Sequence, residues 1–248
     1  MNTQEEEYIT LFCEGDGCVG LYPYPTINFG QKERDVLDYI DSLTENGHIY
    51  YDKSTGVWRL TFNGRYCLPL LEIFSRHVVG KSFLDRLNKV LEFVGMSLAV
   101  QHPITEDGLV GFWDAEGSSD NQPYVLIAQK DREILDLVVV AFSGSVSRDK
   151  DGCHRWHLGG KEARTLFKIL LEKSHYPSRR ERLRKNFEGP SYYELNKDDM
   201  KARSRVRYEV HKEERKVRSR KLWLGRKAIR DWMKLHPEEV AKLGDTML

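Results

Sequence analysis

Two stretches a hundred positions apart decide how this chain folds: ITLFCEGDG at residues 9–17 and LVGFWDAEG at residues 109–117. Each is an apolar segment that ends in two acids spaced by one small residue, followed by a glycine. Taken alone, Glu14-Gly15-Asp16-Gly17 has three readings: an acidic surface turn, a pair of metal ligands, or a loop that cradles phosphate. Repetition narrows them. INFGQKERDVLDYI at 27–40 answers to VLIAQKDREILDLV at 125–138 with an offset of 98, which places Gln31 on Gln129, Lys32 on Lys130, Leu37 on Leu135 and Asp38 on Asp136. GHIYYDK at 47–53 matches GSVSRDK at 144–150 with an offset of 97, and WRLTFNGR at 58–65 matches HRWHLGGK at 154–161 with an offset of 96. Four matches in order, with an offset drifting by one or two residues at a time, mark a duplicated unit of about 95 residues in which small loops have changed length.

Both copies predict the same element order. A helix ends at the acid-glycine motif; in the first copy Thr3 and Glu6 are placed to form a capping box. The glycine after the last acid is expected to permit a turn that other residues make with difficulty. An alternating hairpin follows, VGLYPYPTINF in one copy and DNQPYVLIA in the other. Then come an amphipathic helix over 33–43, matched at 132–142, and a second strand pair, 48–52 with 57–62. A helix over 65–77 is matched at 161–173, and closing helices are expected over 83–94 and 178–186. The stretch MSLAVQHPITEDG reads as the joint, so the units span 1–98 and 104–190, with an extension over 191–248.

Composition fits a charged, globular protein: 40% of the 248 residues are hydrophobic and 31% charged. No apolar run reaches the length of a membrane span. The N-terminus is acidic where a secretion signal would be basic, and the four cysteines (Cys13, Cys18, Cys67, Cys153) lack CxxC spacing. Both features predict a reduced setting inside the cell, the cytoplasm or an organellar matrix. The net charge of +1 hides an asymmetry: residues 1–172 hold 17 Lys and Arg against 26 Asp and Glu, and residues 173–248 hold 22 against 12. A basic C-terminal third on an acidic body points to a polyanionic partner.

At the repeated motif the chain resembles the LAGLIDADG homing endonucleases, in their single-chain, two-motif form. Residues 109–117 match the nine-residue pattern closely. Residues 9–17 match it over Phe12-Cys13-Glu14-Gly15-Asp16-Gly17 and depart at Leu11, where a small residue is usual. The resemblance covers roughly residues 5–186. It implies an α/β (α+β) fold of two pseudo-symmetric αββαββα units, with the motif helices side by side at the centre and two antiparallel sheets forming a saddle over double-stranded DNA. It also implies a monomeric, intron- or intein-encoded enzyme that cuts one phosphodiester in each strand of a long site with Mg²⁺, in sites that Mn²⁺ or Ca²⁺ can also occupy.

The residues support that chemistry on their own terms. Gly111 and Ala115 are four apart, share a helix face and allow close helix approach. Neighbouring motif helices would bring Asp16 and Glu116 together, and two carboxylates in a small space repel unless a cation joins them. Hard oxygen ligands suit Mg²⁺. Glu14 and Asp114 precede them by two residues, point to another helix face, and read as supporting residues, with direct metal binding the lesser alternative. By the resemblance, Gln31 and Gln129 orient water near the scissile phosphates, and Arg65 and Lys161 balance charge on phosphate. Hairpins fit the major groove and alternate side chains share one face. The candidate DNA contacts are Tyr22, Tyr24, Thr26, Asn28 and Lys32, then Lys53, Arg59 and Thr61, with Lys32 and its match Lys130 placed for phosphate or for solvent rather than for bases. In the second copy they are Asp120, Gln122, Tyr124, Leu126 and Lys130, then Arg148, Lys150, Arg155 and His157. CHRWH at 153–157 could suggest a metal site, but it lacks a second ligand pair and aligns as a strand.

The extension is helix-prone up to Pro237, with a thin apolar stripe (Val206, Val210, Val217, Leu222, Leu224, Ile229, Trp232, Met233) and a weak internal repeat, YEVHKEE and WMKLHPEE. Its basic residues could lie along DNA phosphates or bind intron RNA; a solvated charged helix is the plain alternative. The competing whole-protein reading is a catalytically silent nucleic-acid binder of the same fold, an RNA maturase or a DNA-binding regulator. An unrelated repeat protein binding small ligands leaves the basic tail unexplained.

Overall fold

The structure, a computed structural model, describes residues 1–118, 124–188 and 192–235. Asp120 and Gln122, and the end of the chain beyond Leu235, lie outside the described residues. Helix α1 (Thr3–Asp16) leads into strands β1 (Gly17–Leu21) and β2 (Pro25–Gln31), helix α2 (Asp35–Thr44), strands β3 (His48–Asp52) and β4 (Val57–Asn63), a 3₁₀ turn (Gly64–Cys67), and helices α3 (Leu68–His77) and α4 (Lys81–Phe93). The second half repeats the plan with α5 (Glu106–Glu116), β5 (Gly117–Ser118), β6 (Val125–Gln129), α6 (Arg132–Phe142), β7 (Ser145–Arg148), β8 (His154–Leu158), α7 (Gly160–Lys173) and α8 (Pro177–Glu188). The sheets are antiparallel and four-stranded, with matching orders β1-β2-β4-β3 and β5-β6-β8-β7.

Local chemistry sets the helix ends. The capping box of α1 sits one residue earlier than the sequence suggested: the Asn2 side chain accepts from the Glu5 backbone N–H, and Glu5 accepts from the Asn2 N–H at 2.7 Å. The start of α5 lies inside the stretch read as a joint, because the Thr105 hydroxyl accepts from the Gly108 N–H and closes the first turn. Gly17 and Gly117 end the motif helices at φ −104° and −70°, values open to any residue. Their need is space, not conformational freedom: a Cβ at Gly17 would stand 2.6 Å from the Cys13 carbonyl oxygen, and one at Gly117 2.2 Å from that of Trp113.

Helices α1 and α5 pack side by side at the centre. A Cβ on Gly111 would fall 2.1 Å from the Tyr8 carbonyl oxygen, so backbone touches backbone there. A Cβ on Gly15 would meet the Ala115 Cβ at 2.5 Å. The departure at Leu11 is answered one turn away. Leu11 packs against Gly108, and a Cβ there would lie 3.0 Å from Leu11 Cδ2. At an offset of 100, the Leu11–Gly108 contact is the counterpart of Gly111–Tyr8 with large and small exchanged.

Each sheet lays an apolar face on this pair. In the first sheet Val19, Ile27, Phe29, Leu60 and Phe62 are buried, and the Phe12 and Phe29 rings stand 6.0 Å apart. In the second, Val125, Ile127, Trp156 and Leu158 do the same. Helix α2 adds Val36, Leu37 and Ile40, and α6 adds Ile134, Leu135 and Val138. Contacts divide the chain at Ser191 and Tyr192. The second unit holds α9 (Tyr192–Val210) and α10 (Lys212–Leu235), with Leu222, Trp223 and Leu224 exposed and Lys227 over the Trp223 ring at 5.4 Å. No described helix is long and apolar enough to cross a membrane.

Candidate metal site and nucleic-acid face

Helices α1 and α5 end side by side, with Gly15 against Ala115 and Glu116, so the carboxylates of their last residues, Asp16 and Glu116, lie close enough for the charge of Asp16 to act on Glu116. Each is held by the glutamine that ends the second strand of its own half. Gln31 Nε2 donates to Asp16 Oδ2, and Gln129 Nε2 donates to Glu116 Oε1 at 3.2 Å. Burial pushes the Asp16 carboxyl up to about 6 and the Glu116 carboxyl to about 7; for Glu116 the Asp16 charge adds to the rise. Both glutamines oppose it by donating to the charged form.

Glu14 and Asp114 point away from this pair and brace it. Glu14 accepts from the backbone N–H groups of Val79 at 2.7 Å and Gly80 at 2.6 Å, which joins α1 to the α3–α4 junction. Asp114 accepts from the Tyr8 hydroxyl at 2.7 Å, the Ser174 hydroxyl and the His175 N–H at 2.7 Å, which joins α5 to the α7–α8 junction. Burial raises Glu14 to about 8 and Asp114 to about 6.

One contributor carries no motif. Arg179, in the first turn of α8, donates from Nη1 to the Trp113 carbonyl at 2.7 Å and from Nη2 to the Ala115 carbonyl at 2.8 Å. Its charge draws both the Asp16 and the Glu116 carboxyls down against burial. The only signal in the sequence was the pair Arg179-Arg180 at the head of a closing helix, which reads as ordinary surface charge.

The donor set fits a hard cation. Among the described residues no group of three or more His, Cys, Asp and Glu converges, and the pair itself offers oxygen ligands. Two carboxylates that repel each other suit Mg²⁺ or Ca²⁺, which accept waters and phosphate oxygens in the remaining positions. Arg65 and Lys161 stand apart from this centre. Arg65 is exposed and rests on Tyr66 at 5.1 Å, and Lys161 is exposed in the first turn of α7.

The polar face of each sheet follows from strand register. Cys18, Asn28, Thr61 and His48 form one row across the first sheet, with the Thr61 hydroxyl donating to Asn28 Oδ1 at 2.7 Å. Gly30, Arg59 and Tyr50 form the next. The second sheet answers with Leu126, His157 and Ser145, then Ala128, Arg155 and Ser147. His48 and Tyr50 belong to this face although pattern reading passed over them. Arg59 pairs with Asp52 at 3.1 Å and Arg155 with Asp149 at 2.7 Å, so each half holds one arginine in the same place by the acid of its turn.

Other candidates divide. Tyr22 and Tyr24 are exposed at the first hairpin tip, and Lys32, Lys53, Lys130 and Lys150 are exposed at strand ends and turns. Tyr124 is 38% exposed. Thr26 is buried, its hydroxyl engaged with the Tyr24 carbonyl and Asn63, and Leu126 is buried too. Arg148 pairs with His154, one step out of the row of Arg155 and His157, so the two-residue period turns it to the opposite face.

No protein-family model and no curated protein matches this sequence. Solved structures do. The fold is that of the LAGLIDADG homing endonucleases in their two-unit form. The I-LtrWI LAGLIDADG homing endonuclease bound to target DNA superposes with a TM-score of 0.51 at 13% identity, over 71% of this chain and 85% of that one. The LAGLIDADG meganuclease I-AabMI bound to uncleaved DNA gives 0.51 at 16% identity, over 70% and 84%. The meganuclease I-SmaMI bound to uncleavable DNA gives 0.55 at 11% identity, over 79% and 96%.

Proposed function

We propose that this protein is a site-specific endonuclease that cuts both strands of a long DNA site with Mg²⁺ held by Asp16 and Glu116. The observation that carries the reading is the meeting of these two carboxylates at the ends of paired helices, each fastened by the glutamine of its own half. A chain that only bound nucleic acid would gain no stability from two acids whose burial and mutual repulsion both favour protonation. When bound, Mg²⁺ would polarise a scissile phosphate and activate a water. Gln31 and Gln129 orient the carboxylates and present an amide to that water. Arg65 and Lys161 supply positive charge to the phosphate backbone, and the rows around Asn28, Arg59 and Thr61, and around Arg155 and His157, read bases in the major groove. Residues 1–98 and 104–190 each address one half of the site as parts of a monomer, and the basic extension from residue 191 adds phosphate contacts.

The test is selection of cleaved sites from a randomised DNA library with Mg²⁺. Recovery of one long preferred site, cut on both strands and lost in Asp16→Asn and Glu116→Gln, is the expected result. Tight binding without cleavage in any divalent metal would overturn the enzyme and leave a binder of DNA or intron RNA. Removing residues 191–248 should weaken DNA affinity and flatten its salt dependence; unchanged affinity at every salt concentration would sink the role of the extension.

A further inference from the structure

Arg179 occupies a place that the duplication does not repeat. It is the third residue of α8, whereas the third residue of the matching helix α4 is Phe83, buried in the core of the first half. The two guanidinium N–H contacts close the last turn of α5 immediately before Glu116. The group lies over the Tyr176 ring at 4.4 Å. Beside it, the Ser178 hydroxyl donates to Glu33, two residues after Gln31, so the head of α8 also ties the second half to the turn that carries the first half's glutamine. Among the described residues no carboxylate forms a direct ion pair with Arg179, and its charge acts through space on Asp16 and Glu116 as well as on the brace Asp114. On the opposite flank Phe83 takes the corresponding place, beside a cavity of about 170 Å³ bordered by Phe83, Ser82, Gly80, Glu14, Gln129 and Arg86.

We propose that Arg179 is the positioning residue and resident cation of the carboxylate pair: it sets the end of α5 and offsets one of the two negative charges, so that Asp16 and Glu116 hold a divalent cation weakly until DNA phosphates complete its ligands. The inference rests on the metal-site reading above. Its physical basis is that charges in a partly buried site are screened little by salt, so a fixed guanidinium repels an arriving divalent cation strongly, while each phosphate brings both an oxygen ligand and a compensating charge. Metal loading is thereby coupled to DNA binding.

The experiment titrates the full chain with Mn²⁺ at low ionic strength without DNA, reading free Mn²⁺ by electron paramagnetic resonance. Arg179→Gln and Arg179→Met, which remove the charge, should bind Mn²⁺ at least about tenfold more tightly than the parent, and Arg179→Lys should keep the parent's weak affinity. A purely structural clamp predicts the reverse, because all three variants loosen the end of α5 and would weaken binding. Melting temperatures accompany the titrations; should Arg179→Met fail to fold, Arg179→Gln, which retains a donor for one carbonyl, carries the comparison. Neutral variants that bind no more tightly than the parent overturn the proposal. Asp16→Asn separates the two readings. If it binds Mn²⁺ as the parent does, the metal site itself is wrong; if it loses binding while the neutral variants show no gain, only the role of Arg179 is wrong.

Discussion

In the first half the motif helix presents Leu11 to its partner and ends in Asp16; in the second it presents Gly111 and ends in Glu116. The brace behind the site is Glu14 in one half and Asp114 in the other, and the head of the closing helix carries Phe83 in one and Arg179 in the other. Strand order and the glutamine-to-acid hydrogen bond are the same on both sides. The comparison teaches that duplication preserved the backbone plan, while chemical asymmetry entered where the halves touch. At the centre, asymmetry is compensated: the large Leu11 meets the small Gly108, as the small Gly111 meets the large Tyr8. At the flank it is not: Arg179 closes the end of α5 in one half, and the ring of Phe83 stands in its place in the other.

The strongest way to break the comparison is at its chemistry. Asp16→Asn and Glu116→Gln should each reduce double-strand cleavage by at least about a hundredfold with DNA affinity kept. Gel analysis of each strand sharpens the point: a variant that still nicks one strand shows that the halves act separately, and loss of both nicks shows one shared site.

Next in size is the helix contact. Gly111→Leu forces a side chain into the Tyr8 backbone and should cost more than about 3 kcal/mol in urea unfolding. Leu11→Ala should cost about 3 kcal/mol by leaving a void over Gly108. A Gly111→Leu variant as stable as the parent would mean that the helices do not approach as described.

A third test uses pH in metal-free protein. The folded carboxyls of Asp16 and Glu116, at about 6 and 7, lie above their ordinary values of 3.8 and 4.5. A carboxyl raised in this way favours the folded state while protonated; the gain is full below the unfolded value and lost as pH climbs through the folded one. Parent stability should therefore fall between about pH 4 and 7 relative to the Asp16→Asn, Glu116→Gln double variant. Parallel curves would show that neither group is raised. The smallest effects belong to Arg59→Ala and Arg155→Ala. Each should relax base preference by about 1–3 kcal/mol at one position, in opposite halves of the target, measured by competition binding.

Much of this plan is legible in the chain. The acid-glycine motifs and the Gln-Lys pairs recur at nearly constant offsets, so whatever contact Gln31 makes with Asp16, Gln129 makes with Glu116. Strand alternation placed Arg59, Thr61, Arg155 and His157 on one surface, because a period of two is local. It misplaced Arg148 because β7 meets β8 in a register that its own residues do not specify, and it passed over the buried state of Thr26 because that depends on Asn63, 37 positions away. Arg179 left no trace: a single arginine at the start of a charged helix has no pattern, and its meaning comes from two carbonyls more than 60 residues earlier.

The duplicated unit, the order of its elements and the placing of Asp16 and Glu116 at the helix ends are legible along the chain, since each rests on repetition or on interactions within a few residues. Which surfaces pair was settled in three dimensions. It set Leu11 against Gly108, set Glu14 and Asp114 as braces, and brought one unrepeated guanidinium to the carboxylates. These are contacts between segments distant in the chain. Their partners are selected by packing and charge in three dimensions, which no periodicity along the sequence records.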